Sequence, residues 1–450
     1  MQQIDFSQGS IRRRILAVAT PMLIAQLLNL LYNIVDRIYI GKIPGEGTLA
    51  LASIGLCFPF VTLITAFANL FGLGGAPLCA MARGKGNREG AQGIMVNAGF
   101  MLLLSGAVLT VLGIAFHRPL LYLFGASEVT YPYASSYIVI YLLGTLCVML
   151  SLGLNPYINC QGFARIGMLT VALGAAANIV LDPIFIFALH LGVRGAAIAT
   201  VLSQFLSAAW VVKFLTGKKA ELKLDFRGFC PDWHCIQHIT VLGIASFVMS
   251  FTDMLVQVAC NATLRNFGGD LYISVMTVLN SVRQIAQTPV LAIADGASTA
   301  ISYNYGAGLY KRTRDAIRFM TQIAIGYTML VWMLVSLFPA LFIRIFNQDA
   351  ELVAAAVPAL HIYFFGFVMM AFQYAGQSTF RALGRAKYAV FFSLLRKAFI
   401  VVPLTLLLPY CWNLGVSGVF AAEPVSNCIG GLACYLTMRH VVMPELKMEN

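Results

Sequence analysis
Apolar residues run in stretches of helical length from one end of the chain to the other, and a short polar segment closes each stretch. A helix rises about 1.5 Å per residue, so roughly 20 apolar residues cross the hydrocarbon of a bilayer. The pattern predicts twelve such helices. Six lie at about 13–40, 48–78, 91–116, 131–154, 161–188 and 193–215, and six at about 235–264, 271–302, 316–344, 353–378, 386–410 and 414–438. The longest polar stretch, Lys218-Lys219 through Asp232, separates the sets. It defines an N-lobe (1–217), a cytoplasmic linker (218–234) and a C-lobe (235–450). The first run follows Ser10-Ile-Arg-Arg-Arg14 as a signal segment would. It contains Pro21, however, continues to about Ile40 and ends with Asp36-Arg37, so it reads as a retained first span.

The halves echo one another. Gly84-Lys-Gly86 after the second span matches Gly306-Ala-Gly308 after the eighth at a shift of 222, and the same shift sets Pro21 opposite Gly243. Leu191-Gly-Val-Arg-Gly195 returns as Leu414-Gly-Val-Ser-Gly418 at a shift of 223. Six spans are an even number, so a duplicated half starts and ends on the same side, and the repeats run parallel. The fold expected is an all-α membrane protein: twelve transmembrane helices in two parallel-repeat six-helix bundles around a central cleft, an arrangement that suits alternating access.

Composition excludes the soluble classes. Of 450 residues, 59% are hydrophobic and 11% charged, with a mean hydropathy of +0.81. Soluble domains carry roughly 25% charge, and so few charges cannot cover a soluble body of this size. The net charge of +12 does not point to nucleic acid. With the N-terminus inside, 21 of the 30 Lys and Arg residues fall at inner loops and inner helix ends, and five fall outside. That is the positive-inside asymmetry, and it places both termini in the cytoplasm. Eight of the ten cysteines sit in or beside apolar runs, as packing residues do. Cys230-x3-His234-Cys235-x2-His238 is the one cluster with metal-like spacing; it lies in a polar loop and reads as ordinary loop residues rather than a zinc site.

The informative charges are those inside spans, where each costs several kcal/mol and marks function by default. The acids are Asp36, Asp182, Asp253, Asp295 and Glu423; the bases are Arg37, Arg283, Arg396 and Lys397. Asn178 and Asp182, four residues apart, share a helix face. Asp36 lies on a first span that Pro21 permits to bend. Thr200 and Asn155 add neutral oxygens. Two carboxylates with amide and hydroxyl oxygens suit a hard cation such as Na⁺, and the same pair can carry a proton. Beside them Asn29, Tyr32 and Tyr137 are candidates to line a cavity for flat organic cations. In the C-lobe, Asp253, Arg283, Asp295, Arg396 and Glu423 form a candidate polar network, read either as satisfied ion pairs or as a second proton or substrate site.

These residues fall in a recognisable order. Asn33-Ile-Val-Asp-Arg-Ile-Tyr-Ile-Gly41, Asn155-Pro156 with Gln161-Gly162, Asn178-Ile-Val-Leu-Asp-Pro-Ile-Phe185, Leu191-Gly-Val-Arg-Gly-Ala-Ala197, Ser302-Tyr-Asn-Tyr-Gly-Ala-Gly308 and Ala422-Glu-Pro424 together resemble the multidrug and toxic compound extrusion (MATE) family of bacterial type, over essentially the whole chain. The resemblance implies two six-helix lobes and secondary active antiport, exporting organic cations and other xenobiotics in exchange for H⁺ or Na⁺. It also implies an N-lobe cation site at the positions of Asp36, Asn178, Asp182 and Thr200, with Asn155 nearby. Asp253 matches a seventh-helix acid used by some members, whereas the tenth-helix partner acid is replaced near Met370. The expected protein is a monomer in the bacterial cytoplasmic (inner) membrane, with small organic cations and the bilayer as partners, no nucleic acid, no cofactor beyond the coupling ion, and no enzymatic constellation. The alternatives are a lipid-linked precursor flippase of the same superfamily, for which this N-lobe is too acidic, and a non-transporting membrane receptor.

Overall fold
A computed structural model of the chain describes residues 3–44, 46–346, 348–411 and 414–448, and these residues form helices and connections with no strand among them. The first half contains α1 (Ile11–Gly41), α2 (Gly47–Gly55), α3 (Phe58–Gly84), α4 (Arg88–Leu123), α5 (Tyr131–Leu143), α6 (Thr145–Cys160), α7 (Ala164–Pro183) and α8 (Gly192–Thr216). The second half contains α9 (Trp233–Gly306), α10 (Tyr310–Leu337), α11 (Pro339–Arg344), α12 (Ala350–Phe364), α13 (Met369–Ala382), α14 (Ala386–Leu394), α15 (Val402–Leu407), α16 (Val416–Ser426) and α17 (Leu432–Met448). Wide π-type turns join α14 to α15 (Leu395–Val401) and α16 to α17 (Asn427–Gly431), and a third follows α7 (Ile184–Ala188).

Among the described residues nine helices are long and apolar enough to cross a membrane, and two bent pairs, α5 with α6 (56°) and α12 with α13 (49°), raise the number to eleven. The remaining segment of the twelve expected is the second part of α9, which starts beyond Gly269 at φ 64° and runs to Gly306. It carries Arg283 and Asp295, which dilute its apolar run. Every expected span thus has its helix, and several are longer than the apolar run because their polar ends continue the helix.

The chain divides into two compact units. The first comprises Met1–Asp5 and Thr20–Gly243, the second Phe6–Ala19 and Ile244–Asn450. In lipid, helices gain little from apolar burial against one another, so close backbone approach at small residues carries the packing. In the first unit a Cβ on Gly72 would lie 2.8 Å from the Gly153 carbonyl oxygen, and one on Gly243 would run into the backbone of Leu70. Only glycine permits α3 to meet α6 and the start of α9 at these distances. The Tyr157 hydroxyl fixes the same contact by donating to the Phe71 carbonyl at 2.8 Å. The polar linker is pinned to this unit: Gln161 Oε1 accepts from the Leu222 amide at 2.9 Å, Asn97 Oδ1 accepts from the Asp232 amide at 2.9 Å, and Arg83 pairs with Glu221. In the second unit the Phe6 ring packs against Tyr303, tilted by 45° with centroids 5.7 Å apart, and Arg312 donates to the carbonyls of Phe6 and Gly9 at 2.9 and 2.8 Å.

Candidate functional site
In the first unit α7 sets Asn178 and Asp182 one turn apart on one face, both buried. Asn178 Nδ2 donates to Asp182 Oδ1 at 3.2 Å and reaches Thr200 Oγ1 on α8 at 3.5 Å. Pro183 follows immediately, and with no N–H it cannot serve the Ile179 carbonyl. The chain continues as the wide turn Ile184–Ala188, a form frequent at functional sites. Asp36 on α1 is half-buried, and its carboxyl comes within hydrogen-bonding reach of Asp182. Four acceptors on these residues, Asp36 Oδ1, Asn178 Oδ1, Asp182 Oδ2 and Asn155 Oδ1, are buried without a hydrogen-bond partner. A buried acceptor left in this way costs about 1–3 kcal/mol. In the Asp36–Asn178–Asp182 group every orphan is a hard oxygen, and the donor shortage is what a bound H⁺ or Na⁺ would relieve.

The neighbouring candidates separate by position. Tyr32 lies one turn before Asp36 on α1, within the field of both carboxylates. Tyr137 is buried on α5 and stacks on Tyr141 at 6.1 Å. Asn29 is exposed, and its backbone carbonyl accepts from Asn33 Nδ2 at 2.6 Å. Asn155 turns to the other end of α7, where Nδ2 donates to the Gly167 carbonyl at 3.2 Å. Eleven residues, about 16 Å of helix, separate Gly167 from Asn178.

In the second unit Arg283 Nη1 (2.9 Å), Arg396 Nη1 (3.1 Å) and Lys397 Nζ (3.1 Å) all reach Glu423 Oε1. Lys397 Nζ also contacts Asp253 Oδ1 at 2.9 Å. Adjacent residues on a regular α-helix point about 100° apart, yet Arg396 and Lys397 are both buried and meet one carboxylate. They sit in the wide turn Leu395–Val401, which rotates the helix at this point. Arg396 Nη1 also donates to Asn427 Oδ1 at 2.9 Å, and Arg283 Nη1 donates to the Tyr363 hydroxyl at 2.7 Å. Asp295 stands apart from this group and pairs with Arg381 at 3.7 Å. Met370, at the place of the missing tenth-helix acid, is buried. The rings of His234 and His238 meet at 4.3 Å, but no three His, Cys, Asp or Glu side chains among the described residues are arranged to hold a metal ion.

One family model covers the chain twice, over residues 21–184 and 245–407, and that family is MatE. The chain belongs to the MatE family. Two matches to one model in one MatE chain also fit the internal echo, one in each half. Among curated proteins, the chain is similar to the multidrug export protein MepA of Staphylococcus haemolyticus, at 24% identity over 93% of this chain and 91% of that protein. It is similar to the FAD transporter of Shewanella oneidensis at 25% identity, covering 96% of each. Among solved structures, an outward-facing multidrug resistance MATE family transporter of the MOP superfamily superposes with a TM-score of 0.92 at 24% identity over 100% and 99% of the two chains. A MOP superfamily transporter from Pyrococcus furiosus gives 0.92 at 24% identity over 99% of each. These structures support the MatE fold.

Several polar partners escaped the sequence reading. Asn427 stands four residues after Glu423, the same spacing as Asn178 and Asp182, and that repetition was a readable signal. Arg381 counts by sequence as an inner-loop charge, yet it is largely buried against Asp295. Tyr363 carried no signal, since its partner Arg283 lies 80 residues away.

Proposed function
We propose that this MatE protein is a secondary active antiporter that exports organic cations and other xenobiotics in exchange for H⁺ or Na⁺ by alternating access. Asp36 and Asp182 carry the coupling ion, with Asn178 and Thr200 completing an all-oxygen site, and Asn155 shapes α7 beyond it. One observation carries the reading: two carboxyls face each other inside the bundle among unpartnered acceptors, with a single amide as their donor. A network that merely locks helices would be satisfied by its own donors. The names of the MepA relatives support export of drugs. Ion binding drives transport only through different affinities in two conformations; Pro21, inside α1, supplies a break at which that helix can bend between them. Tyr32, half-buried one turn before Asp36, offers aromatic surface beside the carboxylates for the substrate, whereas Tyr137 is buried against Tyr141. The protein works as a monomer in the cytoplasmic membrane with both termini inside, the orientation its Lys and Arg asymmetry favours, and it performs no covalent chemistry.

The test is substrate counterflow in proteoliposomes under separately imposed Na⁺ and pH gradients, for the wild type and Asp36→Asn. Transport by the wild type under one of the gradients, lost in the variant, supports the reading and identifies the ion. Undiminished transport by a well-expressed Asp36→Asn protein overturns the assigned role.

A further inference from the structure
The second unit holds a buried charge imbalance that cation export does not use. Three cations, Arg283, Arg396 and Lys397, converge on two carboxylates, Glu423 and Asp253. The remaining acid of this unit's spans, Asp295, is engaged by Arg381. The hydroxyl of Tyr363 and the amide of Asn427 satisfy hydrogen bonds but add no charge. A cluster with one more cation than anions, in a medium of low dielectric, is stabilised by any further anion.

The two carboxylates are not equivalent. The Glu423 side chain is 5% exposed and bridges all three cations, whereas the Asp253 side chain is 46% exposed and touches Lys397 alone. Lys397 itself is 2% exposed. Asp253 lies sixteen residues before Gly269 on α9, about 24 Å along the helix. A carboxylate at such depth faces water or a cavity rather than lipid. Asp253 is therefore the exposed edge of the cluster, covering Lys397, while Arg283, 17% exposed, meets the same Glu423 oxygen as Lys397. The buried Tyr363 ring lies 5.6 Å from the Arg283 guanidinium and its hydroxyl accepts from Arg283, so Tyr363 holds that cation in place.

We propose that this cluster is a binding site for the carboxylate or phosphoryl group of an organic anion, which takes the place of Asp253 at Lys397. Guanidinium and ammonium groups held in place by Glu423 and Tyr363 present fixed donors to such a group. The protein thus accepts anionic or zwitterionic molecules in its C-terminal unit, independently of the carboxylates in the N-terminal one.

The experiment compares two dyes with one ring system and opposite charge, fluorescein and rhodamine 6G, binding to the full-length protein in detergent micelles by fluorescence polarisation. The readout is the ratio of their affinities. Lys397→Gln is expected to lower the fluorescein-to-rhodamine ratio at least tenfold. Asp253→Asn, which removes the competing anion at an exposed position, is expected to raise it at least threefold. A ratio unmoved or lowered by Asp253→Asn overturns the proposal, even where Lys397→Gln fails to fold. Loss of rhodamine transport in Asp36→Asn reports on the antiport reading alone, so failure of either idea is read separately.

Discussion

Replacing Asp182 with Asn separates the two roles open to the N-terminal carboxylates, ion site and helix lock. The substitution exchanges one oxygen for an NH₂ group of nearly the same size, beside acceptors that have no donor: Asn178 Oδ1 and Asp36 Oδ1. One new hydrogen bond to either is worth about 0.5–1.5 kcal/mol, and removal of a charge facing Asp36 adds to it. The folded protein should hold or gain stability. Affinity for the coupling ion moves the other way. A carboxylate attracts a unit charge by about 4 kcal/mol at about 4 Å and an effective dielectric near 20. At about 1.4 kcal/mol per factor of ten, losing it weakens ion binding up to about a thousandfold. Two measurements on one purified variant suffice: the thermal unfolding midpoint in detergent, and gradient-driven substrate transport in proteoliposomes. The expected result is an equal or higher midpoint with transport abolished. A clearly lower midpoint with transport intact would refute the reasoning, because Asp182 would then be a structural partner whose charge the bundle needs.

The cluster around Glu423 gives the opposite sign. Glu423→Gln leaves three buried cations facing Asp253 alone and should cost about 3–5 kcal/mol, seen as a large fall in unfolding midpoint; Asp253→Asn, at a half-exposed position, should cost about 1 kcal/mol or less. Equal midpoints for the two would contradict the described geometry. Gly243→Ala forces a methyl into the Leu70 carbonyl and should destabilise by at least the 1–3 kcal/mol typical of overpacking. Gly326→Ala in α10, with open space around the added methyl, should be neutral or stabilising by up to about 1 kcal/mol. The orientation can be read from thiols. In chains retaining one cysteine at a time, exposed Cys411 should react with an impermeant maleimide added to intact cells, and exposed Cys230 only after permeabilisation; the reverse order would invert the topology.

Most of the fold was legible because a bilayer leaves few choices. Backbone groups in hydrocarbon must be satisfied within the helix, so each apolar run had to be helical, while its ends were less legible: α4 runs to Leu123 and α17 to Met448, beyond the apolar residues. The first carboxylate site was legible for a related reason. Acids are rare enough in spans that Asp36 and Asp182 stood out, and the i, i+4 spacing of Asn178 placed a partner on the same face. What sequence could not supply was pairing at long range. Nothing local says that Asp295 meets Arg381 rather than Arg396, because the choice depends on the bend between α12 and α13 and on the wide turn at Leu395–Val401. Both are backbone features that ordinary helical periodicity does not encode.

The duplicated halves show how one template carries two kinds of polar interior. The shift of 223 that superposes Leu191–Gly195 on Leu414–Gly418 also sets Thr200 opposite Glu423. Each residue is buried on the last long helical segment of its half, and each completes a polar cluster: Thr200 stands at 3.5 Å from Asn178, and Glu423 binds three cations. A hydroxyl there leaves the carboxylates of the first unit short of donors, whereas a carboxylate there collects bases in the second. The helix packing tolerates either, because small residues such as Gly195 and Gly418 set the backbone approach while the buried polar side chain is free to differ. One position thus holds a hydroxyl beside carboxylates in one half and a carboxylate among bases in the other. Removing the acid tests the second cluster: Glu423→Thr frees the three cations from their shared carboxylate and should raise the fluorescein-to-rhodamine ratio of the folded variant. The milder Thr200→Ser, which keeps the hydroxyl, should leave cation-coupled transport within about twofold of the wild type, consistent with a neutral–neutral hydrogen bond of about 1 kcal/mol at most. Transport lost in Thr200→Ser would mean that the methyl rather than the oxygen matters, and the site would have to be rebuilt around packing.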